Sequence, residues 1–416
     1  MVIIGIIGCL FLLGFLHIAL KDVISPPFVL SGIWLFAYIA LFIFKRDVAD
    51  FSSIYYLSYF ASLIFFVIGF ILAVGNNNKI KSNSHSERDG TFRFKLPYIQ
   101  IFLLVAAILF VIYLIKSILF ISQEGAHNFW HTLHAGKSSG KFQIPLIIEY
   151  SRSAVIALNL ICGIVLFTNP TKRNKRYFYI SGLIALFYVI SAGNRGAIIM
   201  WLISLTFSYL YIRNFKNKKL LSILLKLGLG VIAIFIITNF TKYVYADQSN
   251  AVDFSVHLID HYFSSSTIAF VEWMKSAKEY VHGANTFRFF LALLNSVGFN
   301  IDVPELVQEE IQFYGDKTNI YTVLHYYARD FGLMYAFAIQ LFLGIFHGLL
   351  YKKVAFSKTS KPFYIALLSI FFFPLINQFF DDKYFSILST WIQITFWIWL
   401  FTRRELLVRE EAGISD

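Results

Sequence analysis

The chain has 416 residues, of which 58% are hydrophobic and only 14% are charged, and its mean hydropathy is +0.66. These values lie outside the range of soluble globular domains, so a water-soluble fold is excluded. The formal charge of +12 is carried by short basic clusters between apolar runs. This pattern is typical of membrane topology and does not indicate nucleic acid as a partner.

Nine apolar runs are long enough to cross a bilayer core, which needs roughly 20 residues per helix. They are Val2 to Leu20, Pro27 to Phe44, Ile54 to Val74, Leu96 to Phe120, Ile144 to Phe167, Leu220 to Phe240, Gly332 to Leu350, Pro362 to Phe380 and Tyr384 to Phe401. Tyr177 to Ile212 is too long for one helix and has Gly193-Asn194-Arg195-Gly196 at its centre, which predicts two helices joined by a turn. The sequence thus predicts an all-α polytopic membrane protein with about eleven, between ten and twelve, transmembrane helices.

The basic clusters alternate with the other connections and predict which loops face the cytoplasm. On this basis residues 1–240 form an N-terminal bundle of about eight helices, residues 241–331 a large loop region, and residues 332–416 about three further helices and a cytoplasmic tail. All three parts belong to one integral membrane domain. Lys21 and Lys45-Arg46 favour opposite orientations at the start of the chain, and an N-terminus outside the cytoplasm is the expectation.

The loop region 241–331 differs in charge from the rest of the chain, because it carries eleven Asp and Glu but six Lys and Arg. Within it, Tyr262 to Met274 and Thr286 to Phe299 are apolar segments too short to span. We expect them to form short amphipathic or re-entrant helices that cap the bundle on its outer side.

Arg195 is the first candidate functional residue. Fewer than 20 residues separate it from the cytoplasmic Arg176, a helical rise of about 28 Å, so Arg195 should lie slightly below the outer membrane surface. A guanidinium at that depth needs a wet cavity or an anion, although it can also reach the phospholipid headgroups.

Two other positions carry basic residues near the outer ends of helices. Glu149 and Arg152 share one helical face, where they either neutralise each other or contribute to a site, and Lys116 could join the same basic cluster. Arg288 is either the polar face of an amphipathic helix or a phosphate contact, and the sequence does not separate these two interpretations.

The run from Asn319 to Gly332 precedes a spanning helix and places His325, Arg329 and Asp330 at the outer surface. Aromatic belts explain its tyrosines but not this cluster, in which His325 and Arg329 face together if the run is helical. The cluster is therefore a candidate functional site.

Metal binding has weaker support. His127, His131 and His134 have helical ligand spacing, but no nearby cysteine completes a zinc site, so contacts of loop residues or of a ligand are favoured. Asp381 and Asp382 could also be ligands, although an acidic pair in a loop is more often solvated. We expect no metal and no other cofactor.

Four features together resemble a known family. They are the layout of helices, the Gly193 to Gly196 turn, the acidic outer loop, and the Asn319 to Gly332 run that leads into Phe342-Leu343-Gly344. They are similar to the bacterial oligosaccharide repeat-unit polymerases, the Wzy-type O-antigen or capsule polymerases. The resemblance is one of layout over nearly the whole chain, with two local motifs around Arg195 and Asp330. An arginine-x10-glycine pattern found in some members occurs here from Arg152 to Gly163.

The resemblance implies a GT-C-like, metal-independent glycosyltransferase in the bacterial inner membrane with its active site facing the periplasm. Its donor and acceptor would be undecaprenyl-diphosphate-linked oligosaccharides, with the lipid bilayer and a chain-length regulator as further partners. Arginines can stabilise the departing diphosphate, and a His or carboxylate can activate the acceptor hydroxyl. The residues expected to carry the chemistry are His325, Asp330, Arg195 and Arg329, with Arg152, Arg288, Asn194, Glu149 and Tyr327 binding the diphosphate or glycan.

Three alternatives remain open at this point. A purely structural assembly or length-control protein would not need recessed arginines. A ligase that transfers a finished glycan would share the layout and the arginines. A repeat-unit flippase or other transporter would instead predict symmetric halves with charged residues near the middle of the membrane, whereas the ionisable residues here gather at one face.

Overall fold

The computed structural model of the protein describes residues 1–45, 50–75, 91–95, 98–124, 132–133, 136, 139–143, 145–191, 195–213, 215–244, 260, 264–276, 279–305, 308–313, 316–356, 361–404 and 406–410. Of these described residues, 76% are helical. Its helices are α1 Val2–Leu20, α2 Pro26–Lys45, α3 Leu57–Val74, α4 Tyr98–Gln123, α5 Leu146–Thr168, α6 Lys172–Ser191, α7 Arg195–Ile212, α8 Asn217–Val244, α9 Ser266–Lys275, α10 Arg288–Ser296, α11 Val323–Phe331, α12 Leu333–Ala355, α13 Pro362–Asn377 and α14 Leu388–Phe401.

Six helical segments within the described chain are long and apolar enough to cross a membrane. They are α1, α2, α3 with the short 3-10 turn before it, α4, α5 and α12. Three shorter apolar helices are Gly196–Ile212, Pro362–Asn377 and Leu388–Phe401. These findings agree with a multi-pass, mostly helical membrane protein, and each predicted crossing coincides with a helix. The count of eleven crossings stays a prediction.

The predicted division of the Tyr177 to Ile212 segment is confirmed. Helix α6 ends at Ser191 and α7 begins at Arg195, and residues 192–194 between them lie outside the described chain.

Helices α3 and α12 run parallel and make the closest helix contact of the described chain. A methyl group added at Gly344 would lie 2.1 Å from the carbonyl oxygen of Phe66, and one added at Gly69 would lie 2.1 Å from that of Leu341. Gly348 repeats the contact one turn further along, against Phe70. Small residues on one face of a membrane helix let two backbones approach in this way, because dispersion packing replaces the hydrophobic effect in lipid.

Helix α5 lies in the centre of the bundle, since its residues 153–165 are all buried. Asn159 on this helix donates from its amide nitrogen to the Ser181 hydroxyl at 2.8 Å, and its amide oxygen accepts from the Trp201 indole at 2.8 Å. One polar side chain therefore joins α5, α6 and α7, which satisfies polar atoms that lipid could not.

Two small antiparallel sheets complete the described chain and were not part of the all-α prediction. Strand β1, Thr91–Phe94, pairs with β4, Leu407–Glu410, so the segment before α4 is bound to the segment after α14. Strands β2, Ile311–Phe313, and β3, Asp316–Thr318, form a hairpin.

Both short apolar segments of the loop region contain helices, as predicted. Tyr262 to Met274 contains most of α9, and Thr286 to Phe299 contains α10. The two helices differ in environment: α9 is largely buried, whereas α10 has no buried residue.

Candidate functional site

The site is built on α11, the short helix formed by the predicted Asn319 to Gly332 run. Its first backbone N–H, from Val323, donates to the carbonyl of Gln378 in the turn after α13 at 2.9 Å. Its last turn ends at Gly332, whose φ of 90° a residue with a side chain rarely adopts. Helix α12 begins directly after Gly332, so α11 is held between the 378–387 turn and the start of a candidate spanning helix.

His325 lies on α11 inside an aromatic cage. Its ring stacks on Tyr321 with centroids 3.8 Å apart and meets the edge of Trp273 on α9 at 4.8 Å. The side chain is 2% exposed, and neither ring nitrogen has a hydrogen-bond partner among the described residues. Burial, and then the positive charge of Arg329, hold the pKa of His325 well below its ordinary value. His325 is therefore a neutral imidazole whose two nitrogens are uncommitted.

Arg329 lies one turn further along α11, as the predicted spacing requires. Its guanidinium donates to the Gln308 side-chain oxygen at 2.9 Å and to a carboxylate oxygen of Glu309 at 3.2 Å. The Arg329 side chain is 18% exposed, and that of Glu309 is 87% exposed. A bond to so exposed a carboxylate is weak, so Arg329 can exchange it for an anion at little cost.

Asp330 fixes the loop before α10. It is completely buried and accepts hydrogen bonds from the backbone N–H groups of Asn285 and Thr286 at 2.9 and 2.8 Å. The Thr286 hydroxyl donates a third bond at 2.5 Å. Burial raises the pKa of Asp330 in spite of these bonds. Both carboxylate oxygens of Asp330 are already occupied by these donors.

Tyr327 positions a buried carboxylate. Its hydroxyl donates to Asp382 at 3.0 Å, and Asp382 also accepts from the backbone N–H groups of Tyr384, Phe385 and Ser386. Asp382 is 1% exposed, and burial raises its pKa to about 6. The expectation of a solvated acidic pair is therefore wrong for Asp382, because it caps the turn before α14. Asp381 pairs with Lys383.

The remaining candidates occupy two places. Arg288, at the start of α10, donates from Nε to the carbonyl of Pro304 at 2.8 Å, four residues before the Gln308 that binds Arg329. Glu149 and Arg152 instead lie at the start of α5, where Glu149 is exposed and Arg152 half-buried. These two side chains, both in the described chain, form no ion pair with each other. Lys116 on α4 is exposed.

Several predicted residues cannot be placed at this site. Arg195 is the first residue of α7, but its side chain is not described, and Asn194 lies outside the described residues. His127, His131 and His134 also lie outside them. Among the described residues no group of three or more His, Cys, Asp or Glu side chains could hold a metal ion.

The sequence pattern did not reveal which residues surround the cluster. Trp273 lies about fifty positions before His325, and Gln308 and Glu309 about twenty before Arg329, so only the folded loop brings them together. Tyr321 was visible as part of the aromatic run, but its stacking on His325 depends on the bend of the chain before α11.

Comparisons with known proteins gave no match: no family model, no curated protein and no solved structure is similar to the chain.

Proposed function

We propose that the protein is a membrane-embedded glycosyltransferase of GT-C type with about eleven transmembrane helices. It polymerises undecaprenyl-diphosphate-linked oligosaccharide repeat units at the periplasmic face of the bacterial inner membrane. The observation that carries the proposal is the pairing of a neutral, uncommitted imidazole, His325, with a partly exposed guanidinium, Arg329, one turn apart on α11.

The two groups match the two requirements of the reaction. The acceptor hydroxyl must lose a proton, and a neutral imidazole can accept it. The departing diphosphate gains negative charge, and a planar guanidinium binds two of its oxygens at once. Burial, and then the charge of Arg329, lowers the pKa of His325 and keeps the ring unprotonated, which is the state that a base needs.

The surroundings support a carbohydrate substrate. Tyr321 stacks on His325 and Trp273 meets it edge to face, and flat aromatic faces of this kind suit the C–H surfaces of sugar rings once Tyr321 has moved. The His325 ring is covered, so an acceptor reaches it only when Tyr321 moves. One hydrogen bond, from the Tyr321 hydroxyl to the Glu309 carbonyl at 3.1 Å, opposes this movement. Glu309 contacts both residues, because its backbone carbonyl accepts from Tyr321 and its side-chain carboxylate accepts from Arg329.

The test is complementation of a chromosomal deletion. Arg329→Ala should abolish chain extension and leave single repeat units on the core, while the protein is still present in the membrane. Lys317→Ala is the matched control, because Lys317 lies in the same region but pairs with Glu310 at an exposed site. Arg195→Ala is expected to behave like Arg329→Ala.

The pattern of surface glycan separates the proposal from its alternatives. Total loss of surface glycan in the deletion strain would indicate ligation or export in place of polymerisation. Polymer of normal length with Arg329→Ala would remove this residue from the mechanism.

A further inference from the structure

A groove between α4 and α6 lies apart from the α11 site. The two helices start at the same end of the bundle and run parallel, because Gln100 donates to the Tyr177 hydroxyl at 3.4 Å and Phe110 stacks on Phe187 two to three turns later. Between them is a cavity of about 840 Å³.

The groove is polar at one end only. Lys172, Arg173 and Arg176 line it where the helices begin. No acidic side chain lines it, and none of the three cations forms an ion pair within the part of the chain that the structure describes.

These cations lie in the first turns of α6, which contain no acidic residue. Positive charge at a helix N-terminus opposes the helix dipole, so the arrangement costs stability unless an anion neutralises it. Three cations that form no ion pair among the described residues thus line one end of the groove, beside the N-terminus of α6.

The rest of the groove is apolar and opens sideways. Leu104 on α4 and Ile180 on α6 line it and are 61% and 42% exposed, and Ala107 and Ile184 continue the wall toward the other end of the helices. On a candidate membrane-spanning helix such as α4, exposed leucine and isoleucine side chains face lipid. A molecule in this groove therefore has its anionic part at the membrane surface and its apolar part along the helices.

We propose that this groove is a binding site for an anionic phospholipid of the leaflet that contacts the start of α6. The phosphate contacts Arg173, Arg176 and Lys172, and one acyl chain lies against Leu104, Ala107 and Ile180. Basic pockets between membrane helices bind anionic headgroups by this combination of charge and apolar contact. The proposal does not depend on the glycosyltransferase activity.

The experiment is native mass spectrometry of the purified full chain with phosphatidylglycerol or phosphatidylcholine. The wild type should retain phosphatidylglycerol preferentially. Arg173→Gln with Arg176→Gln should reduce that preference at least about tenfold, because each basic residue near an anionic surface contributes on the order of 1 kcal/mol. Lys216→Gln with Lys218→Gln is the matched control, since it removes two exposed charges from another basic cluster.

A second variant distinguishes a lipid from a free phosphorylated solute. Ala107→Trp fills the apolar wall and leaves the three cations in place, so it should weaken retention of phosphatidylglycerol. The proposal is overturned if the double Arg variant keeps the lipid preference. It is also overturned if Ala107→Trp has no effect while glycerol 3-phosphate displaces the lipid, which would assign the pocket to a soluble phosphate compound.

Discussion

Replacing His325 by Phe separates a chemical role of this side chain from a structural one. Phe keeps the ring that stacks on Tyr321 at 3.8 Å and contacts Trp273 at 4.8 Å, but it removes both ring nitrogens. If His325 only fills space, the variant should be active. If its nitrogen accepts a proton from the substrate, activity should be lost from a well-folded protein.

The expected effect on stability follows from the unpartnered nitrogens. A buried polar atom without a partner costs about 1–3 kcal/mol. Removing the two nitrogens avoids this cost, and the tighter packing of the larger phenyl ring offsets part of the resulting gain in stability. We expect the free energy of unfolding to rise on the order of 1 kcal/mol, which raises Tm by about 1–3 °C.

Thermal denaturation of the purified protein in detergent gives Tm, and surface-polysaccharide gels of complemented cells give activity. Lys317→Ala is again the control, since Lys317 lies in the same region but pairs with Glu310 at an exposed site. Full activity of His325→Phe would refute the role of His325 as a base. A fall in Tm would show that the ring nitrogens make stabilising contacts, which contradicts the geometry described above.

Two further predictions concern packing and pH. Gly344→Ala should lower Tm by several degrees, because its methyl group would meet the Phe66 carbonyl at 2.1 Å. Gly14→Ala is the control and should be neutral or slightly stabilising, since no atom lies within 4 Å of the added methyl group. Equal Tm values for the two variants would refute the close α3–α12 contact. Burial raises the pKa of Asp382 to about 6, so the folded state favours its protonated form. The contribution of Asp382 to the free energy of unfolding should therefore be greatest below about pH 4 and fall by about 3 kcal/mol as pH rises past 6. Asp382→Asn should remove this part of the pH dependence of Tm, and an unchanged Tm profile would show that the carboxyl titrates normally.

The helices could be predicted well because lipid imposes a simple rule. A segment in the bilayer must satisfy its own backbone hydrogen bonds, so apolar runs of sufficient length become helices. The division into α6 and α7 could be predicted because a single helix from Tyr177 to Ile212 would exceed the bilayer thickness. The pairing of β1 with β4 could not, because it joins residues at distant positions in the chain through backbone bonds that leave no sequence pattern.

At the site, local spacing predicted only part of the arrangement. The helical interval between His325 and Arg329 correctly placed them together on α11. The role of Asp330 was less visible, since its partners Asn285 and Thr286 come from the preceding loop. Asp382 appeared to be an ordinary loop acid, and only the fold shows that three backbone N–H groups and Tyr327 surround it.

The glycine contact between α3 and α12 also constrains how the protein is made. The two helices come from opposite ends of the chain, and a ribosome adds roughly 5–20 residues per second. Many seconds therefore pass between the insertion of α3 and the synthesis of α12, and during this time the glycine face of α3 contacts lipid or a chaperone. We expect the bundle to close late, when α12 arrives, so a chain truncated before α12 should be a substrate for membrane proteases.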